Sequence, residues 1–163
     1  MALAPALASE ENYLDPTRYM TDISARLRRL VMERAQNRCE YCCLAQDGQE
    51  ATFHIDHATP VAVGGTTAET NLALACVSCS LRKGARQKAP DPLTGLVVPL
   101  FHPRRDAWND HFQWSGVQLL GLTPTGRATV TALNMNRPLI LAVRDEEALM
   151  GRHPPLKTAS SAQ

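Results

Sequence analysis

The stretch that decides the fold runs Cys39-Glu40-Tyr41-Cys42, then Phe53-His54-Ile55-Asp56-His57, then Asn71-Leu72-Ala73-Leu74-Ala75-Cys76-Val77-Ser78-Cys79-Ser80. Each C-x-x-C pair presents two thiolates on a tight turn. Two such turns supply the tetrahedral four-sulfur set that structural zinc prefers. One pair alone would suit a redox dithiol equally well; two pairs, each beside basic residues, favour zinc. The interval between them is longer than a simple zinc ribbon needs, so a separate structural unit has to fit there. Cys43 is left over and reads as a buried or spare thiol.

That unit carries the chemistry. In an extended strand alternate side chains share a face, so His54 and Asp56 point together while His57 points away or sits on the turn beyond. A carboxylate beside an imidazole at a strand end can bind a divalent cation. The next imidazole, with an ordinary pKa of about 6.5, is then available to take a proton from water near neutral pH. Residues 51–63, broken by Pro60 and followed by Gly64-Gly65, predict a strand, a turn and a second short extended piece.

On the N-terminal side, Ile23, Leu27, Leu30, Val31 and Ala35 recur at helical spacing, predicting an amphipathic helix from Asp22 to Arg38 with Thr21 or Asp22 as its cap. It delivers Arg34 and Arg38 to the first cysteine turn. On the C-terminal side, residues 71–86 put the second cysteine pair at the head of a short basic helix ended by Gly84. Beyond Pro90-Asp91-Pro92 a strand is expected at Leu96–Phe101 and an amphipathic turn or helix at Trp108–Trp114. A hairpin is expected around Pro124-Thr125-Gly126, and a helix through Glu146, Glu147 and Leu149. The aromatic and basic residues of 101–114, His102 and His111 among them, read as core more readily than as a base-stacking surface.

The chain therefore divides into a flexible tail (1–17), a cysteine-bearing domain (18–90), an α+β extension (91–150) and a disordered tail (151–163). Its 163 residues suit one domain with an appendage, and an apolar fraction of 44% with only 5% aromatics predicts an aliphatic core. No window approaches the run of roughly 18 apolar residues that spans a bilayer, and no membrane role is expected. The start, MALAPALA, lacks the basic front of a secretory signal. With an odd number of cysteines, that predicts a reducing, cytoplasmic setting.

A net charge of +1 conceals a strong pattern. Residues 18–38 carry +4, residues 39–75 carry −5 and residues 76–105 carry +5. Two basic segments around an acidic one suit a polyanion held between basic walls, with carboxylates ready for a metal ion. For the first block alone the plainer reading is a solvated arginine face. Arg82, Lys83 and Arg86 are the expected phosphate contacts. Lys83 and Arg86, three apart, are expected to share a helix face.

The order Arg34…Arg38-Cys39-x-x-Cys42, His54-x-Asp56-His57-x-x-Pro60, Gly64-Gly65, Asn71-Leu72 and Cys76-x-x-Cys79-x-x-x-Lys83-Gly84 resembles the zinc-bearing HNH endonucleases over residues 30–88. The resemblance implies an α+β fold: a small ββα-metal, treble-clef-like core with a four-cysteine structural zinc site, here followed by a β-rich C-terminal extension. It implies a DNA phosphodiesterase that uses Mg²⁺ or another divalent ion. Asp56 resembles the first metal ligand, His57 the general base, and Asn71 the residue that braces the loop and orients that histidine. One position departs: where the family has Asn or His after the last cysteine, this chain has Ser80. A serine hydroxyl is a weaker ligand; it binds the ion poorly, holds it through water, or leaves the task to His54. A zinc-stabilised nucleic-acid-binding module without cleavage is therefore the alternative. Because one such site cuts one strand, a homodimer is one source of the second cut.

Overall fold

The computed structural model describes residues 22–156. The expected 1–17 tail, Thr21 and residues 157–163 lie outside that range.

The first helix, α1, spans Ala25–Arg34 and starts at Ser24, whose hydroxyl accepts the Leu27 amide at 3.3 Å. It is shorter than the Asp22–Arg38 expected. Gln36 and Asn37 adopt left-handed backbone (φ 52° and 53°), unwinding the chain so that Arg38 can pair with Ala45 across the first cysteine turn. Val31, 0% exposed, anchors its apolar stripe.

Strands β1 (His54–His57) and β2 (Leu72–Ala75) form an antiparallel ladder with His54 opposite Ala75, Asp56 opposite Ala73 and His57 opposite Leu72. All four β2 residues are buried, since α1 packs on β2 and helix α2 (Val77–Lys83) packs on both strands. Burying a leucine such as Leu72 or Leu74 contributes about 1.5–3 kcal/mol. The extended piece expected after Pro60 is instead a 3₁₀ turn at Val61–Val63 closed by Gly64 (φ 91°), and β1 finds its partner beyond a second 3₁₀ turn, Glu69–Asn71.

After α2 come a hairpin of β3 (Lys88–Pro90) and β4 (Val97–Pro99), a short helix α3 (Trp108–His111), and a hairpin of β5 (Phe112–Ser115) and β6 (Gln118–Gly121). Two helices follow, α4 (Pro124–Ala132) and α5 (Pro138–Leu149). The hairpin expected around Pro124-Thr125-Gly126 is thus a helix start. Thr123 accepts the Gly126 amide at 3.0 Å as N-cap, and Pro124 occupies the first turn, where its missing N–H costs nothing. A side chain at Gly126 would collide with the His111 carbonyl, so α4 lies against its neighbours backbone to backbone. The extension expected to be β-rich therefore carries two full helices. Buried apolar residues from Ile23 to Ile140 form one contiguous core. No helix among the described residues is long and apolar enough to cross a membrane.

Asp91, 0% exposed, fixes the β3–β4 hairpin to α4. It accepts from the Leu93 amide, the Thr94 hydroxyl and both Nε and Nη2 of Arg127, the last two at 2.8 Å. The Arg127 guanidinium foremost holds this carboxyl well below the usual range. Because the folded value lies below the unfolded one, this stabilisation is complete above about pH 4 and is lost as the pH falls through the folded value. We expect Asp91→Asn to lower Tm at neutral pH. Thermal melts across the acid range should show that deficit shrinking; a constant deficit down to the acid end would refute the ion pair as its source.

Candidate active site and metal centre

The cysteine turns close first. Sγ atoms of Cys39, Cys42, Cys76 and Cys79 all lie within 4.8 Å of one another and are buried. A zinc–sulfur bond of about 2.3 Å sets tetrahedral sulfurs about 3.8 Å apart, and Cys42 and Cys76 sulfurs are 3.7 Å apart. Each turn folds its second amide onto its first sulfur, Cys42 N–H to Cys39 at 3.5 Å and Cys79 N–H to Cys76 at 3.4 Å. Burial pushes the Cys39 thiol well above its ordinary pKa and hydrogen bonding with Cys39 does the same to Cys79. Hydrogen bonds from Cys39 and the other two sulfurs hold Cys42 well below it. The four sulfurs are placed to take up a cation as their protons pass to solvent, and the cluster can hold zinc. Cys43, outside the cluster, is pushed by burial up to about 12.

The helix that begins at the cluster also reaches the second site. Cys76 is the N-cap of α2, accepting the Cys79 amide, and Ser80 follows one turn later. Its hydroxyl donates to Asp56 Oδ1 at 2.8 Å and lies 3.0 Å from His54 Nδ1. Alternation in β1 does bring His54 and Asp56 to one face, and α2 sets Ser80 between them. Adjacent ligands of an octahedral ion, at about 2.1 Å each, stand about 3 Å apart. Ser80 Oγ lies within hydrogen-bond distance of both the carboxylate and the imidazole, groups of the kind that can ligate a divalent ion.

His57 points elsewhere. Its Nε2 lies 2.9 Å from Thr67 Oγ1, and burial foremost lowers its pKa below the ordinary histidine value. The loop between the strands is stapled by Asn71, whose Oδ1 accepts the Thr59 amide at 2.8 Å and whose Nδ2 donates to the Thr59 and Thr66 carbonyls at 2.9 Å each. Gly65 must be glycine, because a Cβ there would collide with the Thr59 carbonyl. The far side of Thr59 is held by the extension. The Arg104 amide donates to His102 Nδ1 at 3.2 Å, so in the neutral ring the proton is on Nε2, which meets Thr59 Oγ1 at 3.1 Å.

The expected phosphate contacts separate. Lys83 is 4% exposed, and its ammonium donates to the His57 carbonyl at 3.1 Å; burial lowers its pKa. It braces β1 from behind. Arg86, past the helix end at Gly84, donates to the Arg82 and Ala132 carbonyls. Lys83 and Arg86 thus do not share a face. Arg82 is exposed and bonded to Ser78 within its own helix. Thr67, Thr59 and His102 had no signal in the sequence, since a threonine or histidine far along the chain reaches this loop only through tertiary packing. In the first basic block, Arg34 donates to the Glu69 and Leu72 carbonyls and Arg38 to that of Cys43. Arg34 and Arg38 thus clasp loop ends, while Arg26, Arg28 and Arg29 are exposed on α1, in keeping with a solvated face.

Paired strands, a crossing helix and a four-cysteine cluster define a ββα-metal arrangement. Residues 39–86 match the family model described as HNH endonuclease. No curated protein and no solved structure matches the chain.

Metal analysis of the purified protein should find about one tightly held ion for the four-sulfur set. Cys76→Ser, which removes one sulfur and weakens the α2 cap, should lose that ion and the cooperative melt with it. A wild-type protein that is folded and free of metal would end this assignment. Asn71→Ala leaves the buried Thr59 amide unsatisfied, which costs about 1–3 kcal/mol. Its Tm should fall by several degrees while the cluster keeps its metal.

Proposed function

We propose that the protein is a metal-dependent endonuclease that hydrolyses DNA phosphodiester bonds, with a structural zinc at Cys39, Cys42, Cys76 and Cys79. The observation that carries this reading is the convergence of His54, Asp56 and Ser80, with the next residue of the strand, His57, held through its imidazole by Thr67. It is supported by the family match over residues 39–86.

In this reading Asp56, with His54 and Ser80, holds a divalent ion such as Mg²⁺. When bound, that ion supplies Lewis-acid stabilisation of the charge that develops on the phosphate. His57 activates the attacking water. In the tautomer that donates Nε2–H to Thr67 Oγ1, the lone pair is on Nδ1, and this nitrogen takes the proton. Its lowered pKa keeps the ring neutral, and so basic, at physiological pH. Asn71 holds the loop that positions Thr67, and Lys83 fixes the His57 carbonyl, so the imidazole is locked from both ends of its residue. Arg82 contacts the neighbouring phosphates, giving salt-sensitive and largely sequence-independent affinity.

The second reading, a nucleic-acid-binding module without cleavage, draws on Ser80. Its hydroxyl already donates to Asp56, which competes with ligation. One experiment separates the two. Supercoiled plasmid is incubated with wild-type protein or His57→Ala in Mg²⁺, Mn²⁺ or Ni²⁺. Nicking by the wild type, lowered about 10²–10⁴-fold in the variant, is the expected result. Equal traces of nicking in both sink the enzyme reading, and retardation of DNA without nicking by either favours the binding module.

A further inference from the structure

Where α1 and the first cysteine turn meet the extension, a cavity of about 840 Å³ opens, lined by Arg34, Arg38 and Arg104 together with Trp108 and Trp114. That volume falls within the range of about 300–1,000 Å³ typical of ligand and cofactor sites. Its wall has more donors than acceptors. Arg38 is half-buried and engages only its Nη1, with the Cys43 carbonyl at 3.0 Å. Arg34 Nε and Arg104 Nε are buried with no hydrogen-bond partner among the described residues. The two carboxylates of the wall are already committed. Glu40 pairs with Arg104 and accepts the Leu74 amide, and Asp106 accepts the His102 amide at 2.8 Å. Three guanidinium groups against two engaged carboxylates leave the cavity suited to an incoming anion.

Beside these donors stand both tryptophans of the chain. Their ring centroids are 5.6 Å apart and both residues are half-buried, so each keeps some surface for a planar group. Bases within a duplex are stacked on one another. An unpaired base has a free face, and its stacking on an aromatic side chain tolerates any sequence. The cavity also adjoins the candidate site. Arg34 donates through Nη2 to the Leu72 carbonyl at 2.6 Å, and Leu72 is the cross-strand partner of His57.

We infer that this cavity takes an unpaired nucleotide of the nucleic acid, its phosphate on Arg38 and the neighbouring guanidinium groups and its base against the tryptophans, which makes single-stranded or branched DNA the preferred substrate class. The inference deepens the endonuclease reading and rests on its nucleic-acid partner. It gives the extension a share in substrate choice.

Because both tryptophans line the cavity, intrinsic fluorescence reports its occupancy. The full chain is titrated with oligothymidylate, with a blunt duplex and with thymidine monophosphate, and nicking of supercoiled plasmid is measured in parallel. Oligothymidylate should quench the tryptophans at concentrations about tenfold lower than either of the others. Arg38→Gln should weaken that binding about tenfold. It should also flatten the plot of log affinity against log salt by about 0.7, the share of one phosphate contact. Gln113→Glu, which adds a carboxylate at an exposed position of the wall, should weaken it in the same direction and serves if Arg38→Gln does not fold. Quenching by the duplex at the same concentrations, or binding that neither variant weakens, overturns the inference. Equal affinity for thymidine monophosphate overturns it in favour of a free nucleotide. Absence of quenching overturns it whether or not plasmid is nicked, and nicking then leaves the enzyme reading intact. Quenching without nicking removes the enzyme reading and leaves the nucleotide site standing.

Discussion

Four sulfur atoms from two turns, 34 residues apart at Cys42 and Cys76, have to meet at one buried point. Almost everything near the candidate site follows from that closure. Cys76 is both a member of the cluster and the N-cap of α2, so fixing its sulfur fixes where the helix starts and how it is aimed. Strand β2 ends immediately before it, and β1 pairs with β2 in a single register. A slip of one residue would swap the faces of His54 and Asp56 with those of Ile55 and His57. Cys79 and Ser80 are neighbours on the same helix, one sulfur turned to the cluster and one hydroxyl turned to Asp56. The four-cysteine cluster is a structural element, and the position of Ser80 against Asp56 and His54 depends on it.

The part of the chain after Pro90 is a buttress for this arrangement. Trp108 donates its indole N–H to the Tyr41 carbonyl at 2.9 Å, between the two cysteines of the first turn. Arg104 pairs with Glu40, whose other oxygen accepts the Leu74 amide at 2.8 Å and so grips β2. His102 meets Thr59 on the stapled loop, and Arg86 reaches the Ala132 carbonyl at the end of α4. Burial foremost, with the nearby Arg34 charge, lowers the pKa of the Arg104 guanidinium to about 10. The loop that follows His57 is thus fixed by Asn71 from within the domain and by His102 from the extension.

The charge blocks take on a different meaning in three dimensions. A guanidinium has five N–H donors in a planar fork, so it satisfies several carbonyls at once. Arg34, Arg38 and Arg86 spend those donors on backbone carbonyls, and Arg104 and Arg127 spend theirs on carboxylates. Part of the alternating basic and acidic pattern is therefore the trace of internal pairing, while Arg26, Arg28, Arg29, Arg82, Lys88 and Arg105 stay exposed.

Beside the bracing role of Asn71, which the family resemblance implied, the sequence by itself determined the cysteine pairs, the alternation that joins His54 to Asp56, and the helix headed by Cys76 and stopped by Gly84. These are properties of spacing: thiolates on tight turns, a period of two in a strand, a glycine that ends a helix. Packing alone decided what spacing cannot encode. Thr123-Pro124 is compatible with a turn or a helix start, and the choice fell to the helix because α4 has β6 and the β3–β4 hairpin to bury itself against. Lys83 carries a charge that predicts solvent, yet the ladder end at His57 offers it a carbonyl and the fold covers it. The Thr67 and His102 contacts join residues 10 and 43 positions from their partners, and Arg144 reaches back from the last helix to the Val117 carbonyl and the Trp114 ring. No local pattern links such residues, because the free energy that brings them together is the burial of the whole core.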